Sequence, residues 1–254
     1  MTVQFEKRGN TALVTIDRPD ARNAVNGEVA SGIENAIDQI EADDEIWTGI
    51  LTGAGPVFCA GADLKAINSG QAASLMTERG GFAGIVTRER TKPIIAAVDG
   101  PALAGGCEIV LACDLVVASR EATFGIPEVK RCLVAAAGGL FRLPRQLPLK
   151  VALEMGLTGD PISAERAWQL GLVNVLCEPG KAVDEAFALA ERINANAPVA
   201  VRETRRLMLS LPSQDDAKAI EESGRAMAKV MSSEDFAEGI TAFIEKRPPR
   251  WKGR

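Results

Sequence analysis

The 254-residue sequence contains no histidine and no tyrosine. The missing histidine excludes Ser-His-Asp and Cys-His mechanisms, and it excludes metal sites that depend on imidazole ligands. If the protein is an enzyme, its proton transfers must be carried by aspartate, glutamate, lysine, cysteine or water.

The sequence also has no net positive charge, no pair of closely spaced cysteines and no long apolar run. The five cysteines are scattered without a CxxC pair, so buried free thiols are predicted instead of disulfides or a zinc site. No apolar run approaches the roughly 18–20 residues of a membrane span, and the N-terminal residues do not resemble a signal peptide. The net charge of −5 argues against nucleic acid or an anionic membrane as the main partner. We therefore expect a cytoplasmic protein that binds no metal, nucleic acid or membrane.

The pattern of apolar residues predicts an α/β protein whose C-terminal part is mostly helical. Residues 67–92 have no clean period, and we expect an irregular segment followed by a helix that ends before Pro93. The break at 196–198 predicts a core of residues 1–195 and a helical region of residues 196–254. Strands are predicted at 5–7, 11–16, 46–51, 94–98 and 115–118, and helices at 26–43, 105–113, 149–157, 163–170, 183–194, 198–211, 215–231 and 233–246.

Glu108 lies in the first turn of a predicted helix that begins at Gly105 and Gly106 and is otherwise apolar. One interpretation is structural, because a glutamate at the third helical position commonly forms a capping box. The other is catalytic, because burial raises the pKa of a carboxyl group while the helix N-terminus lowers it. A carboxylate under both influences is a candidate general base.

Two other segments are unusual, although each alone has an ordinary structural interpretation. The segment 58–64 is built of very small residues, which allow close approach to the backbone, but it is also consistent with a tight loop before a helix with Asp63 near its start. Glu128 follows a turn 20 residues after Glu108, where a glutamate is usually only solvated.

Taken together, these segments resemble the crotonase (enoyl-CoA hydratase/isomerase) superfamily over nearly the whole chain. Several motifs in the same order, at fitting spacings, are far more specific than any one of them. They are Asp17-Arg18-Pro19, Arg22-Asn23-Ala24, Ala60-Gly61-Ala62-Asp63-Leu64, Pro93-Ile94-Ile95-Ala96-Ala97-Val98-Asp99-Gly100, Gly105-Gly106-Cys107-Glu108, Phe124-Gly125-Ile126-Pro127-Glu128, Gly138-Gly139-Leu140-Phe141-Arg142-Leu143-Pro144-Arg145 and Phe243-Ile244-Glu245-Lys246-Arg247.

The resemblance implies a spiral core of stacked ββα turns, and a C-terminal helical region that builds homotrimers, often paired into hexamers. It implies an acyl-CoA thioester substrate, no cofactor beyond the coenzyme A of that substrate, and an oxyanion hole formed by the backbone N–H groups of Ala62 and Gly105. Glu108 and Glu128 match the two catalytic glutamates of hydratases, and Lys246 matches a lysine that reaches coenzyme A on a neighbouring subunit. The remaining coenzyme A contacts implied by the resemblance are Ala21, Arg22, Ala24, Ala60, Asp63, Leu64 and Lys65.

The sequence departs from the family pattern at two places. Residues 135–137 are three alanines where Pro-Gly-Ala is common, and we expect this change to loosen the Glu128 side of the pocket. Position 104 is alanine where glycine is common, and we expect little effect because Gly105 is retained.

Hydration of a 2-enoyl-CoA is the reaction that the two glutamates favour most. A carnitinyl-CoA-type dehydratase is the closest alternative, since residues 80–84 and 249–254 are reminiscent of that branch. A double-bond isomerase and a coenzyme-A-binding protein without turnover also remain open. Cys107 is interpreted as a small buried residue and not as a nucleophile.

Overall fold

Strands and helices alternate along most of the chain in the computed structural model, which describes residues 2–254. The strands are β1 (Val3–Arg8), β2 (Thr11–Ile16), β3 (Thr48–Gly53), β4 (Met76–Thr77), β5 (Gly81–Phe82), β6 (Ile94–Val98), β7 (Ala102–Leu103), β8 (Leu115–Ser119), β9 (Thr123–Gly125), β10 (Ile162–Ser163) and β11 (Val175–Cys177). The helices are α1 (Gly27–Ala42), α2 (Leu64–Asn68), α3 (Gly105–Ala112), α4 (Gly139–Gln146), α5 (Leu149–Thr158), α6 (Ala164–Gln169), α7 (Ala182–Asn194), α8 (Pro198–Ser210), α9 (Asp216–Met231) and α10 (Glu234–Glu245).

The largest sheet has the strand order β1-β2-β3-β6-β8-β11. Only the β1–β2 pair is antiparallel, and the other neighbours are parallel. Both faces are covered, which explains why these strands are nearly continuous apolar runs. Alternate side chains, such as Ile50 and Leu51, belong to separate hydrophobic clusters on opposite faces. One cluster is completed by alanines of α7, and the other by apolar residues of α1 and α3.

A smaller sheet has three strands in the order β10-β9-β7. Each turn of the chain contributes one strand to the large sheet and one to the small sheet, and then forms a helical segment. The first turn consists of β3, a bridge at Cys59 and α2. The second consists of β6, β7 and α3. The third consists of β8, β9 and a 3-10 helix at Pro127–Arg131. Cys59 pairs with Ala102 of β7, so the earliest turn lies in register with the next. The α/β fold of stacked ββα turns is therefore confirmed.

Most of the predicted elements are present, with ends that differ by at most two residues. Helix α1 begins after Asn26, whose side chain accepts a hydrogen bond from the Val29 N–H. Helix α6 begins after Ser163, whose hydroxyl oxygen accepts one from the Arg166 N–H. The prediction of a helix that ends before Pro93 is wrong. Residues 76–82 form the β4–β5 hairpin instead, and the chain then turns at Gly84, whose φ of +70° is unsuitable for a helix.

Several short elements escaped the sequence analysis. Strands β7, β9, β10 and β11 have two or three residues each, too few to show a period. Helix α4 contains Pro144, a residue that is disfavoured inside helices. The thiol prediction holds for four cysteines, but Cys132 is exposed. Within residues 2–254, no helix combines the length and the apolar composition that a membrane span requires.

Candidate active site

The first component of the site is a pair of backbone N–H groups, from Ala62 and Gly105, on successive turns of the spiral. Ala62 follows the bridge at Cys59 and lies two residues before α2, and Gly105 follows β7 and is the first residue of α3. Gly61 has a φ of +96°, and its Cα lies 3.4 Å from the position that a Cβ on Gly105 would occupy. Among residues 2–254, neither the Ala62 nor the Gly105 N–H has a hydrogen-bond acceptor, so both remain available to a ligand.

The limited space around these N–H groups favours glycine at positions 61 and 105. A Cβ on Gly61 would lie 2.9 Å from the Gly105 backbone nitrogen, closer than real Cβ atoms approach. A Cβ on Gly105 would lie 2.5 Å from Cε1 and from Cζ of Phe82. The ring of Phe82, on strand β5, therefore lies directly against the first residue of α3.

Ala104, the residue before α3, has a backbone conformation that is costly for alanine. Its φ of +51° and ψ of −128° fall in a region that residues with a Cβ rarely adopt. This conformation favours glycine, and the expectation that alanine at this position has little effect stays a prediction, which replacement of Ala104 tests. Strain of this kind costs about 1–3 kcal/mol, and it lies directly beside the Gly105 N–H.

Replacing Ala104 with glycine is expected to raise the free energy of unfolding by about 1 kcal/mol, since the strain removed exceeds the entropy that glycine loses on folding. The melting temperature measured by circular dichroism should rise by about 2–4 °C. Ala112→Gly, at the regular end of the same helix, is the matched control and should be destabilised by about 1 kcal/mol. Equal destabilisation of both variants would show that Ala104 carries no strain.

The second component is the carboxyl group of Glu108, which is only 3% exposed. Ala104 is the N-cap of α3, which makes Glu108 the fourth helical residue, and its side chain forms no cap. The capping-box interpretation is therefore wrong. Instead, Oε1 of Glu108 accepts a hydrogen bond of 2.9 Å from the backbone N–H of Gly139, the first residue of α4.

Burial changes the acid–base properties of both candidate glutamates. Desolvation, together with the negative charge of Glu128, raises the pKa of Glu108 from 4.5 to about 7 against the opposing effect of the hydrogen bond from the Gly139 N–H. Burial also raises the pKa of Glu128. Glu128 lies in the Pro127–Arg131 3-10 helix, and its Oε2 is buried without a hydrogen-bond partner within residues 2–254. A polar atom left in this state is well suited to contact a ligand or water.

Glu108→Gln is expected to stabilise the protein at alkaline pH. Between pH 4.5 and about 7 the unfolded state releases the Glu108 proton while the folded state keeps it, so the free energy of unfolding falls as pH rises. Because a tenfold change in proton affinity corresponds to about 1.4 kcal/mol, the full cost above pH 7 is about 3 kcal/mol. Thermal melts at pH 5 and pH 8.5 should show a gain for Glu108→Gln mainly at the higher pH.

Glu203→Gln is the control with the opposite sign. Although Glu203 is also buried, hydrogen bonds from Lys229 and Arg206 lower its pKa. Its charged form is therefore favoured in the folded protein, and Glu203→Gln should lose stability at pH 8.5. A gain for Glu108→Gln that is equal at both pH values would contradict the raised pKa.

The structure brings together the two segments that are predicted to bind coenzyme A. The Ala60 N–H donates to the Arg22 carbonyl, the Val25 N–H donates to the Gly61 carbonyl, and the Asp63 N–H donates to the Val25 carbonyl. The segment holding Ala21, Arg22 and Ala24 therefore runs beside Ala60, Ala62 and Asp63. Buried Asn23 holds the turn through hydrogen bonds to the carbonyl oxygens of Ala54 and Val57.

The individual side chains of this groove differ in what they contact. Asp63 caps α2 by accepting from the Lys65 and Ala66 N–H groups, and it forms an ion pair of 3.1 Å with Arg18, so its carboxylate has structural partners. Leu64 and Lys65 are exposed. Lys246 is also exposed, at the end of α10, and within residues 2–254 its backbone N–H donates to the Phe243 carbonyl and not to a groove residue named above.

Sequence reasoning missed the contacts that hold the site together. Gly139 belongs to one of the family motifs and Phe82 to a glycine-rich segment, but nothing in the sequence indicates that either residue contacts α3. Ala135, at the start of the alanine run, packs beside Gly139 and so lies on the Glu108 side of the site. Cys107 is fully buried, and burial raises the pKa of its thiol to about 12, as expected of a neutral buried residue.

Comparison with known proteins gives consistent matches along the whole chain. The sequence profile of the family described as enoyl-CoA hydratase/isomerase matches residues 6–254. A crystal structure of enoyl-CoA hydratase from Mycobacterium tuberculosis H37Rv superposes with a TM-score of 0.96 at 49% identity, covering 100% of this chain and 99% of that chain. A mevalonyl-coenzyme A hydratase from Aspergillus fumigatus is 40% identical, covering 94% of this chain and 90% of its own. A carnitinyl-CoA dehydratase from Proteus mirabilis is 36% identical, covering 100% and 99%.

Proposed function

The chain belongs to the enoyl-CoA hydratase/isomerase family, and we propose that it is a hydratase that adds water reversibly to a 2-enoyl-CoA thioester. The observation that carries the proposal is the presence of buried Glu108 and half-buried Glu128, both with raised pKa values, on the same spiral as two backbone N–H groups that have no acceptor within residues 2–254. Acids and bases with shifted pKa values, set beside donors for a developing negative charge, are typical of an active site.

In this proposal the unpaired N–H groups of Ala62 and Gly105 bind the thioester oxygen. Attack of water at C3 moves electrons through the conjugated double bond and places negative charge on that oxygen, as an enolate. Donors already directed at this charge stabilise it without reorganisation, and each is typically worth about 3–4 kcal/mol of barrier. No metal or redox cofactor takes part, and coenzyme A enters as part of the substrate.

The glutamates divide the proton transfers. Ionised Glu108 accepts a proton from the attacking water, whose hydroxyl group forms the new bond to C3. Protonated Glu128 gives its proton to C2, so one molecule of water is added in total. The pKa of about 7 for Glu108 suits a base that must be ionised before attack and protonated afterwards. In the dehydration direction the two roles exchange.

The position of Phe82 favours a second candidate, a carnitinyl-CoA-type dehydratase. The 80–84 segment, reminiscent of that branch, places the ring of Phe82 against Gly105, beside the position proposed for the thioester. An aromatic face attracts a quaternary ammonium group by about 0.5–2 kcal/mol. Carnitinyl-CoA dehydratases are also among the similar proteins.

A panel of thioesters tests the proposal and separates the candidates. Purified protein is mixed with crotonyl-CoA, crotonobetainyl-CoA and a 3-enoyl-CoA, and the absorbance of the conjugated thioester is followed while products are identified by mass. A higher kcat/KM for crotonyl-CoA supports the hydratase, a preference for crotonobetainyl-CoA supports the dehydratase, and a gain in absorbance with the 3-enoyl-CoA indicates an isomerase. Tight binding of all three thioesters without turnover would leave a coenzyme-A-binding protein.

We also propose that the protein assembles as a homotrimer or a hexamer through its C-terminal helices, with Lys246 reaching coenzyme A on a neighbouring subunit. The support is the unusual exposure of large apolar side chains on α9 and α10, which single chains rarely leave in water. A sedimentation mass of three or six chains is expected, and a monomer at micromolar concentration would contradict the assembly. The exposed side chains are Ile220, Met227, Met231, Ile240, Phe243 and Ile244.

A further inference from the structure

Arg142 lies on α4, one turn after the residue whose N–H group holds Glu108. Its guanidinium donates hydrogen bonds to the carbonyl oxygens of Val86 and Ala137, the second at 3.5 Å. The carbon of its guanidinium lies 4.8 Å from the ring centroid of Phe141. The side chain is partly buried, so these contacts are shielded from water. Arg142 is therefore fixed in position at the N-terminal end of α4.

The sequence leaves space for this arginine at Gly138, the N-cap of α4. Gly138 has a φ of +117°, and a Cβ at this position would collide with Nη1 of Arg142. The Arg142 N–H also donates to the Gly138 carbonyl, which closes the first turn of the helix. Gly138 and the neighbouring Gly139 thus serve two adjacent contacts, one with Arg142 and one with Glu108.

The Val86 carbonyl belongs to a turn that reaches the other side of the site. The Val86 N–H donates to the Phe82 carbonyl at 3.3 Å, and the Phe82 ring lies against Gly105. Arg142 therefore connects helix α4, whose Gly139 N–H donates to the Glu108 carboxyl group, to the 82–86 turn, which lies over the start of α3. The side of the site that contains Glu108 and the side that contains the Gly105 N–H are thus joined through the Arg142 side chain.

Few charged groups face Glu108. Helix α3 and the strand β7 packed against it carry no other charged residue, and the adjacent Cys107 is a neutral thiol because burial raises its pKa to about 12. Glu128, from the Pro127–Arg131 3-10 helix, contributes a negative charge, and Arg142, from α4, contributes a positive charge that lowers the pKa of Glu108. The positive charge of Arg142 thus acts in the same direction as the hydrogen bond from the Gly139 N–H, and against burial and Glu128.

We propose that Arg142 is a positioning residue for the reaction: it places a positive charge beside Glu108, and it fixes the 82–86 turn over Gly105. The inference rests on the proposed function only in taking Glu108 as the base. The two effects are separable, because lysine at position 142 keeps the charge but cannot make the planar, two-carbonyl contact of a guanidinium.

The test compares Arg142→Gln, Arg142→Lys and the matched control Arg145→Gln. Arg145 lies on the same helix and also stacks on Phe141, at 5.3 Å, but it is exposed. The acid limb of the kcat/KM–pH profile reports the ionisation of the base in the free enzyme. Arg142→Gln should shift the midpoint of this limb to a higher pH, by about one unit, and Arg145→Gln should leave the midpoint unchanged. Arg142→Lys should keep the limb of the wild type but lower kcat about tenfold, because a misplaced active-site wall is costly.

An infrared titration measures the same ionisation without turnover. The carboxylic-acid band of Glu108 is assigned by its loss in Glu108→Gln, and its midpoint should rise in Arg142→Gln but not in Arg145→Gln. If the wild type shows no hydratase activity, the proposed function fails while this titration still tests the charge effect. An unchanged midpoint in Arg142→Gln would overturn the charge effect, and wild-type kcat in Arg142→Lys would overturn the fixing of the turn. If Arg142→Gln does not fold, Arg142→Met replaces it in the titration.

Discussion

Glu108→Gln and Glu128→Gln are each expected to lower kcat for hydration of crotonyl-CoA by about 10³-fold, because positioned general acids and bases typically contribute 10²–10⁴-fold. Glutamine keeps the size of the side chain and an oxygen that can accept the Gly139 hydrogen bond, so the Glu108 variant should fold normally. Stopped-flow absorbance gives kcat and KM for each variant. KM should change little, since neither carboxyl group is proposed to bind the coenzyme A portion.

The double variant and a surface control make this test specific. Two groups that act in one step are not additive, so Glu108→Gln/Glu128→Gln should fall less than tenfold below the weaker single variant. Glu154→Gln, on the exposed face of α5, should retain the activity of the wild type. If either active-site variant keeps more than a tenth of the wild-type kcat, that glutamate is not an obligatory acid or base.

Gly105→Ala is expected to lower kcat/KM by about 10²–10³-fold, the range found when one oxyanion-hole donor is lost. The added Cβ would lie 2.5 Å from two atoms of the Phe82 ring, so either the ring or the start of α3 must move. A shift of the helix N-terminus turns the Gly105 N–H away from the thioester oxygen, whereas a shift of the ring leaves the donor in place. Steady-state kinetics with crotonyl-CoA measure the loss.

Removal of the Phe82 ring separates displacement of the donor from general damage. Gly105→Ala/Phe82→Ala relieves the collision, and it should recover at least tenfold in kcat/KM over Gly105→Ala alone. Gly156→Ala is the matched glycine control, because a Cβ at that position in α5 would make only an ordinary contact of 3.6 Å with Cδ1 of Ile126, and it should leave activity unchanged. Activity in Gly105→Ala equal to that of the wild type would mean that the Gly105 N–H is not a catalytic donor.

The parts of the fold that sequence reasoning predicted well depend on local chemistry or on long patterns. Asn26 and Ser163 cap helices because their side chains reach a backbone N–H three residues ahead, a property that neighbouring residues determine. The run 94–98 is apolar throughout because helices cover both faces of the sheet. Glu108 could be identified as a candidate because a charged residue within an apolar helix requires an explanation.

The parts that could not be predicted depend on residues distant in sequence. The hydrogen bond between Gly139 and Glu108 joins residues 31 positions apart, and the contact of Phe82 with Gly105 joins a hairpin to a helix. The strain at Ala104 follows from the path that the chain must take between β7 and α3, and no local preference for alanine indicates it. Tertiary packing also replaced the helix expected before Pro93 with a hairpin, where glycines interrupt any helical preference.

The most direct test of the central claim is the fate of water oxygen during turnover. Crotonyl-CoA is incubated with the wild-type protein in water enriched in oxygen-18, and the product is analysed by mass spectrometry with Glu108→Gln in parallel. The account predicts 3-hydroxybutyryl-CoA with one heavy oxygen at C3, formed rapidly by the wild type and about 10³-fold more slowly by the variant. Unchanged crotonyl-CoA in the wild-type reaction, or labelled product formed at equal rates by both proteins, would contradict it.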